Sequence, residues 1–172
     1  MKEEIIAALQ IHDFKKAAQL AASKYPQYPA AHTEHTIQVL HIIQEFKPAI
    51  LASIEDPAQI AALRFAAMMQ ALGFRAKRDM PMPFETGLPF DNMTAARMFV
   101  FFASNQINLY NYQQLWGEKT RVRIIGVTDD RCCPACQKIK DLMTTIEDAP
   151  ELPYPFCTSE NGCRCSYGLV SL

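Results

Sequence analysis

The first 131 residues contain no cysteine, and no histidine occurs after His41. No apolar run approaches the roughly 20 residues needed to cross a bilayer. The richest, Ile60 to Leu72, is short and carries Arg64 and Gln70. The opening Met1-Lys2-Glu3-Glu4-Ile5 has neither the apolar stretch nor the small-residue cleavage site of an export signal. The expectation is a cytoplasmic protein with no membrane contact. An excess of charge is missing too: 17 Lys and Arg against 18 Asp and Glu give a net charge of -1. That balance exerts no general pull on nucleic acid or anionic lipid. A Gly-rich phosphate loop and a nucleophile elbow are both lacking, and no set of side chains completes a catalytic constellation.

What remains is a chain of 172 residues, 49% hydrophobic and 20% charged. That describes a folded protein of one ordinary domain, or a modest domain with a small appendix. All six cysteines lie between Cys132 and Cys165, and all four histidines lie upstream of them. Charge does not follow this division: residues 1–116 hold ten basic and ten acidic side chains, residues 117–172 seven and eight. The two parts differ in chemistry, not in electrostatics.

The first part reads as helical. Glu3 to Ile11 is a short apolar segment, and Asp13 is placed to cap Phe14 to Ser23, where Phe14, Ala17, Ala18 and Ala21 recur at helical spacing. Tyr25 to Pro29, with two prolines, is a connector. A third helix spans Ala30 to Phe46, with His41 and Gln44 along one side, and Ala49 to Ile54 adds a turn or two. Asp56-Pro57 pairs an N-cap acceptor with proline at the first helical position; that helix runs to Leu72, with Gly73 suited to its end. Only Gln59, Arg64 and Gln70 interrupt its apolar surface, which marks the central helix of a bundle. Residues 74–92 are irregular and open on a basic cluster, Arg75, Lys77 and Arg78, read as a solvated loop. Asn92 or Thr94 then caps a long helix to Trp116, whose second half carries six amides from Asn105 to Gln114 that form an interhelical network or face water.

Past Gly117 the period changes to two. Arg121 to Val127 reads as a half-buried strand, Thr128 to Arg131 as a turn, Pro134 to Glu147 as a helix, and Cys165 to Val170 as a second short strand. The fold class expected is mainly α: a bundle of five or six helices over residues 1–116, then a small α+β zinc-binding module over 117–172.

The cysteines are Cys132-Cys133-Pro134-Ala135-Cys136, then Cys157, then Cys163-Arg164-Cys165. Zinc takes four such ligands in a tetrahedron with Zn–S of about 2.3 Å, which spaces the sulfurs roughly 3.8 Å apart. A Cys-x-x-Cys turn meets that spacing, so Cys133 and Cys136 are two ligands. Cys157, Cys163 and Cys165 supply the rest. Cys163 and Cys165 both reach one ion only if the backbone turns there, which Asn161-Gly162 allows; otherwise one of them ligates together with Cys157. Cys132 is the bystander. The surrounding residues hold few large apolar groups and several prolines, and modules of this kind commonly need a metal or disulfides to stay folded.

Rival readings exist. Strand, then Cys133-Pro134-Ala135-Cys136, then helix is the way thioredoxin-like proteins present their thiols, with Cys133 as attacking thiolate and Cys136 as resolving thiol. Too little chain follows to complete that fold. Disulfides call for an oxidising compartment. An iron–sulfur cluster or free thiols complete the set. His32 with His35, or His41 with Glu45, sit at helical spacing, but exposed or hydrogen-bonded roles fit them better than a metal site. Asp129-Asp130 reads as polar turn chemistry. A nucleic-acid-binding zinc module would draw on Arg121 and Arg123, against a net charge of -1 for the C-terminal part.

The helix with Ser104-Asn105-Gln106-Ile107-Asn108-Leu109-Tyr110-Asn111, the strand Arg123 to Thr128, the turn Asp129-Asp130-Arg131-Cys132-Cys133-Pro134-Ala135-Cys136 and the closing Cys163-Arg164-Cys165 together resemble the C-terminal part of phage minor head proteins of the Mu F type. The likeness covers roughly residues 94–167. The family's pattern is an Asn-bearing helix, a strand, an Asp-x-Arg-x-Cys-Pro-x-Cys turn and a Cys-Arg-Cys usually preceded by Pro-His. Here Cys157 stands for that histidine and Cys132 is additional. The resemblance implies a phage-derived or phage-related protein, with head assembly as one role open to it, and no enzyme activity; a protein partner is expected, and a place in the virion if the chain is a phage protein.

Overall fold

The computed structural model of the chain describes residues 1–23, 30–74, 82–117, 119–127, 129 and 131–170. The connector at Tyr25 to Pro29, the basic cluster Arg75, Lys77 and Arg78, and Thr128 and Asp130 lie outside the described residues.

Apolar side chains three and four apart build the first two helices. Helix α1 (Lys2–Gln10) buries Ile5, Ala8 and Leu9, and α2 (Phe14–Ser23) buries Phe14, Ala17, Ala18 and Ala21. Between them the amides of His12 and Asp13 turn back to the carbonyls of Leu9 and Ala8, at 3.1 and 2.8 Å. His12 closes this C-terminal motif in the left-handed region, at φ 58. Asp13 Oδ1 accepts the amide of Lys16 at 3.0 Å and so caps α2. Helix α3 (Ala30–Glu45) is followed, after Pro48, by a 3-10 turn, Ala49–Leu51.

Helix α4 (Pro57–Ala71) starts where Asp56 accepts the amide of Ala58 at 2.8 Å. It ends on Gly73, at φ 82, with the amides of Gly73 and Phe74 bonded to the carbonyls of Gln70 and Met69. It packs against α3 and against α5 (Asn92–Trp116). Leu40, Ile43, Leu63, Met69 and Phe99 are fully buried at these contacts. The long helix is capped by Asp91, not by Asn92 or Thr94. The Asp91 carboxylate accepts the amide of Thr94 at 2.7 Å. Asn92 instead turns its amide onto the carbonyls of Met82 and Phe84, tying down the loop ahead of the helix. Of the six amides in α5, Asn105 is buried while Asn111, Gln113 and Gln114 are exposed, and no interhelical side-chain hydrogen bond among the described residues involves them.

The C-terminal part adds strand β1 (Arg121–Ile125), helix α6 (Pro134–Ile139), and strands β2 (Met143–Thr145) and β3 (Ser166–Leu169). The sheet order is β2-β1-β3, with both pairings antiparallel. Alternation along β1 buries Val122 and Ile124 completely and leaves Arg121, Arg123 and Ile125 outside. The helix expected to reach Glu147 stops at Ile139. Asp141 turns the chain at φ 64 and its amide reaches the carbonyl of Ile124 at 2.9 Å, while Ile124 returns a bond to Leu142 at 3.0 Å. β1 thereby captures residues 143–145 as a strand, a role that the β-branched Thr144 and Thr145 suit.

Bundle and module share one contiguous hydrophobic cluster, in which Val122, Ile124, Leu152 and Tyr167 join the helices. β3 packs on α5. Arg97 donates to the carbonyl of Asn161 at 2.8 Å, and the Glu151 carboxylate accepts the amide of Ala49 at 2.6 Å. Among the described residues the chain is thus a bundle of five α-helices that seats a small α+β unit on the longest of them.

Candidate metal centre

Local chain geometry decides where each sulfur points. Cys133 is the N-cap of α6, with extended backbone at φ -69 and ψ 156, and Pro134 occupies the first helical position. Cys136 follows one turn later and its amide donates to Cys133 Sγ at 3.5 Å. Cys157 comes from the irregular stretch between β2 and β3. Cys163 and Cys165 immediately precede β3, which begins only at Ser166. Gly162, at φ 70, makes the bend that releases them from strand geometry. A Cβ there would lie 2.7 Å from Thr94 Cγ2 and 2.8 Å from Met98 Cε, so the bend rests directly on the first turns of α5.

Five buried sulfurs meet in two overlapping groups. Cys133, Cys136 and Cys157 lie within 4.8 Å of one another, as do Cys136, Cys163 and Cys165. Cys133 and Cys157 are 3.7 Å apart, and Cys136 and Cys163 are 3.9 Å apart. Each of those two distances is close to the sulfur spacing of a metal–thiolate site, although no four of the five sulfurs all lie within 4.8 Å of one another. A small cavity of about 10 Å³ is lined by Cys132, Cys133, Cys136, Cys157 and Cys165, with Arg131 and Arg164 beside them. No disulfide joins any of the six cysteines. Cys132 belongs to neither group; its thiol is directed at the carbonyl of Cys133. No histidine joins a candidate group among the described residues, and His32 and His35 lie side by side with ring centroids 6.5 Å apart.

Amides and crowding divide the charge unevenly. Burial works against a thiolate at Cys133, yet the amides of Cys136 and Thr158, with the neighbouring thiols, outweigh it and bring the group down to about 7. Cys163 is held well below the ordinary thiol range by hydrogen bonds from the thiols of Cys136, Cys157 and Cys165, and it also accepts the amide of Tyr154 at 3.1 Å. Cys157 is pushed up by Cys136 and Cys163 and by burial. Cys136 gains from Cys157 but loses more to Cys163, Cys165 and burial, and so rises. Cys165 gains from Cys136 but is pushed up to about 12 by Cys163 and burial. Without a cation the sulfurs cannot all ionise, because each thiolate raises the cost of the next. A divalent cation reverses that repulsion and favours the ionised form throughout.

Reading the sequence missed the groups that brace this cluster. Asp129 clamps Arg164 with two bonds of 2.8 Å, and its Oδ1 also accepts the amide of Arg131 at 3.1 Å. The turn before the first cysteine pair is thereby fixed to the residue between the last two. Ser159 donates to the carbonyl of Arg131 at 3.2 Å, and Gln137 donates to the carbonyl of Cys132 at 3.0 Å. The one signal present was opposite charge: an acid ahead of Cys133 and a base between Cys163 and Cys165.

The arrangement can hold a cation through thiolates alone. No helix among the described residues is long and apolar enough to cross a membrane. In comparison with known proteins, no family model, no curated protein and no solved structure matches the chain.

Proposed function

We propose that the chain is a non-catalytic structural or interaction protein whose C-terminal module is fastened by one zinc ion. The observation that carries this reading is the convergence of five buried thiols from three separate segments that have little core of their own. Thiolate-only ligation selects soft or borderline cations such as zinc. Cys136 belongs to both sulfur groups and Cys133 shares its turn, so these two are the first ligands, and Cys157, Cys163 and Cys165 supply the rest. When bound, the ion supplies folding free energy, because the unfolded chain has no assembled site. It also holds the module against α5, leaving the exposed sheet face and helix end for a protein partner. The likeness of residues 94–167 to phage minor head proteins supports a place in head assembly.

Elemental analysis after mild, chelator-free purification tests the metal. One equivalent of zinc is expected; less than about half an equivalent contradicts the proposal. Cobalt(II) replacement should give the spectrum of a tetrahedral thiolate site. For the assembly role, the chain should be present in purified particles from a host that carries it, and its consistent absence from them argues against that role.

A second reading has one observation behind it: the lowered Cys133 thiol at a helix N-terminus is the feature of a dithiol oxidoreductase. Burial and the closeness of Cys157 favour the metal instead. Reduction of insulin by the purified protein would decide for catalysis, since metal-locked thiols show none.

A further inference from the structure

Away from the cysteines, α4 carries a cation that no carboxylate among the described residues answers. Arg64 is half-buried on a helix whose other polar side chains are Gln59 and Gln70. Its guanidinium lies over the ring of Phe99, 5.9 Å from the centroid, and one Nη donates to the carbonyl of Phe46 at 3.3 Å. That long bond beyond the end of α3 uses one of five N–H donors. The Nε is enclosed and has no hydrogen-bond partner. No described carboxylate forms an ion pair with Arg64. Groups of this kind are normally paired, because taking a charge out of water is costly.

Arg64 borders a cleft of about 220 Å³ between α1, α3 and α4. The polar side chains lining it are Gln10, His12, Gln44 and Arg64, none of them acidic. Phe65 and Met68 form part of an apolar wall. Gln10 and Gln44 make no side-chain hydrogen bond to other described residues. His12 presents its ring from a left-handed backbone position, φ 58, where glycine is the cheap choice. A cation without a described acidic partner, three polar side chains able to donate and a short apolar wall converge on one cleft.

We infer that this cleft binds a small carboxylate with a short apolar body. Its oxygens meet the Nη groups of Arg64, His12 and the amides of Gln10 and Gln44, and its carbon chain lies on Phe65 and Met68. The site is separate from the cysteine cluster and independent of the zinc reading.

The test is a titration of the full, metal-loaded chain with butyrate, compared with inorganic phosphate and chloride at matched ionic strength. The readouts are the NMR signals of the Arg64 Nε–H and of the His12 ring. Butyrate should shift both saturably. Arg64→Met keeps the packed stem and should weaken binding about tenfold or more, the loss expected for one charge-assisted hydrogen bond. His12→Gly removes the ring and should bind more weakly; a histidine that only stacks on Phe14, 5.8 Å between ring centroids, would leave binding unchanged. Should Arg64→Met fail to fold, Gln44→Leu replaces it with the same expectation of weaker binding. A response to butyrate that never saturates overturns the inference. So does binding that survives these substitutions unchanged, or equal shifts from phosphate and chloride.

Discussion

Asp129 and Arg164 face each other across 35 positions of sequence and join through two parallel hydrogen bonds of 2.8 Å. The pair ties the turn that carries Cys133 to the segment that carries Cys163 and Cys165. A planar guanidinium is the one side chain that satisfies a carboxylate in this two-pronged way. Arg164→Lys should therefore retain the metal equivalent but lose it faster to a chelator, by a few-fold. Arg164 hydrogen-bonded to Asp129 lowers the carboxyl from its ordinary value. Its contribution is complete above that ordinary value and fades as pH falls through the depressed one, so the clamp should outlast mild acid. Chelator-competition kinetics at two pH values check both statements.

The cysteines should sort into two classes. Cys136→Ser belongs to both sulfur groups and should abolish metal retention and unfold the module, and Cys133→Ser should do nearly the same. Cys132→Ser should keep the metal and the melting temperature. Metal content together with the methyl NMR signals of Val122 and Ile124 provides the measurement. Equal damage from all three substitutions would contradict the ligand assignment.

Metal affinity should rise with pH. Cys136, Cys157 and Cys165 hold their protons more tightly than an ordinary thiol and must release them to ligate. Cys133 runs the other way: lowered to about 7, its thiolate contribution is complete above the ordinary thiol value and is lost as pH falls through 7. Zinc added to metal-free protein in weak buffer should release protons, with tighter binding at pH 8 than at pH 6.5. Binding without proton release would rule out thiolate ligation.

Gly162→Ala should harm the module twice over. The left-handed backbone costs a side chain about 1–2 kcal/mol, and the new Cβ meets Thr94 and Met98 on α5. A denaturant melt should show a loss of that order or more, together with weaker metal retention. Gly87→Ala, at φ 68 but with open space around it, should show the backbone cost alone.

Asp91→Ala removes the cap of the longest helix. A loss of about 1 kcal/mol is expected, read as a shift in denaturant midpoint with an unchanged slope. Thr94→Ala at the same helix end should leave the cap itself intact, since only the amide of Thr94 serves it.

The helices were legible because their signals are local. Ile5, Ala8 and Leu9, or Phe14, Ala17, Ala18 and Ala21, state a helical face by spacing alone. Asp56-Pro57 and Gly73 announce the ends of α4 in the residues themselves. The cap of α5 falls one residue before Asn92 and three before Thr94, because Asp91, Asn92 and Thr94 are all chemically able to cap. The competing carbonyls of Met82 and Phe84, which draw Asn92 away, belong to another part of the chain. Strand β2 escaped notice for a related reason: three residues carry too little pattern, and pairing with β1 is what makes them a strand.

By itself the sequence determined a mainly helical body, a change of period after Gly117, and a cysteine-rich end in which Cys133 and Cys136 share a turn. These follow from neighbours close enough to constrain each other through backbone torsion and side-chain spacing. Only the tertiary structure decided that Cys163 and Cys165 both reach Cys136, that Cys157 sits 3.7 Å from Cys133, and that Asp129 holds Arg164. Those relationships span twenty to thirty-five residues. Their geometry is set by how Gly162 rests on α5 and how β3 pairs with β1, which are long-range packing events that no local pattern encodes.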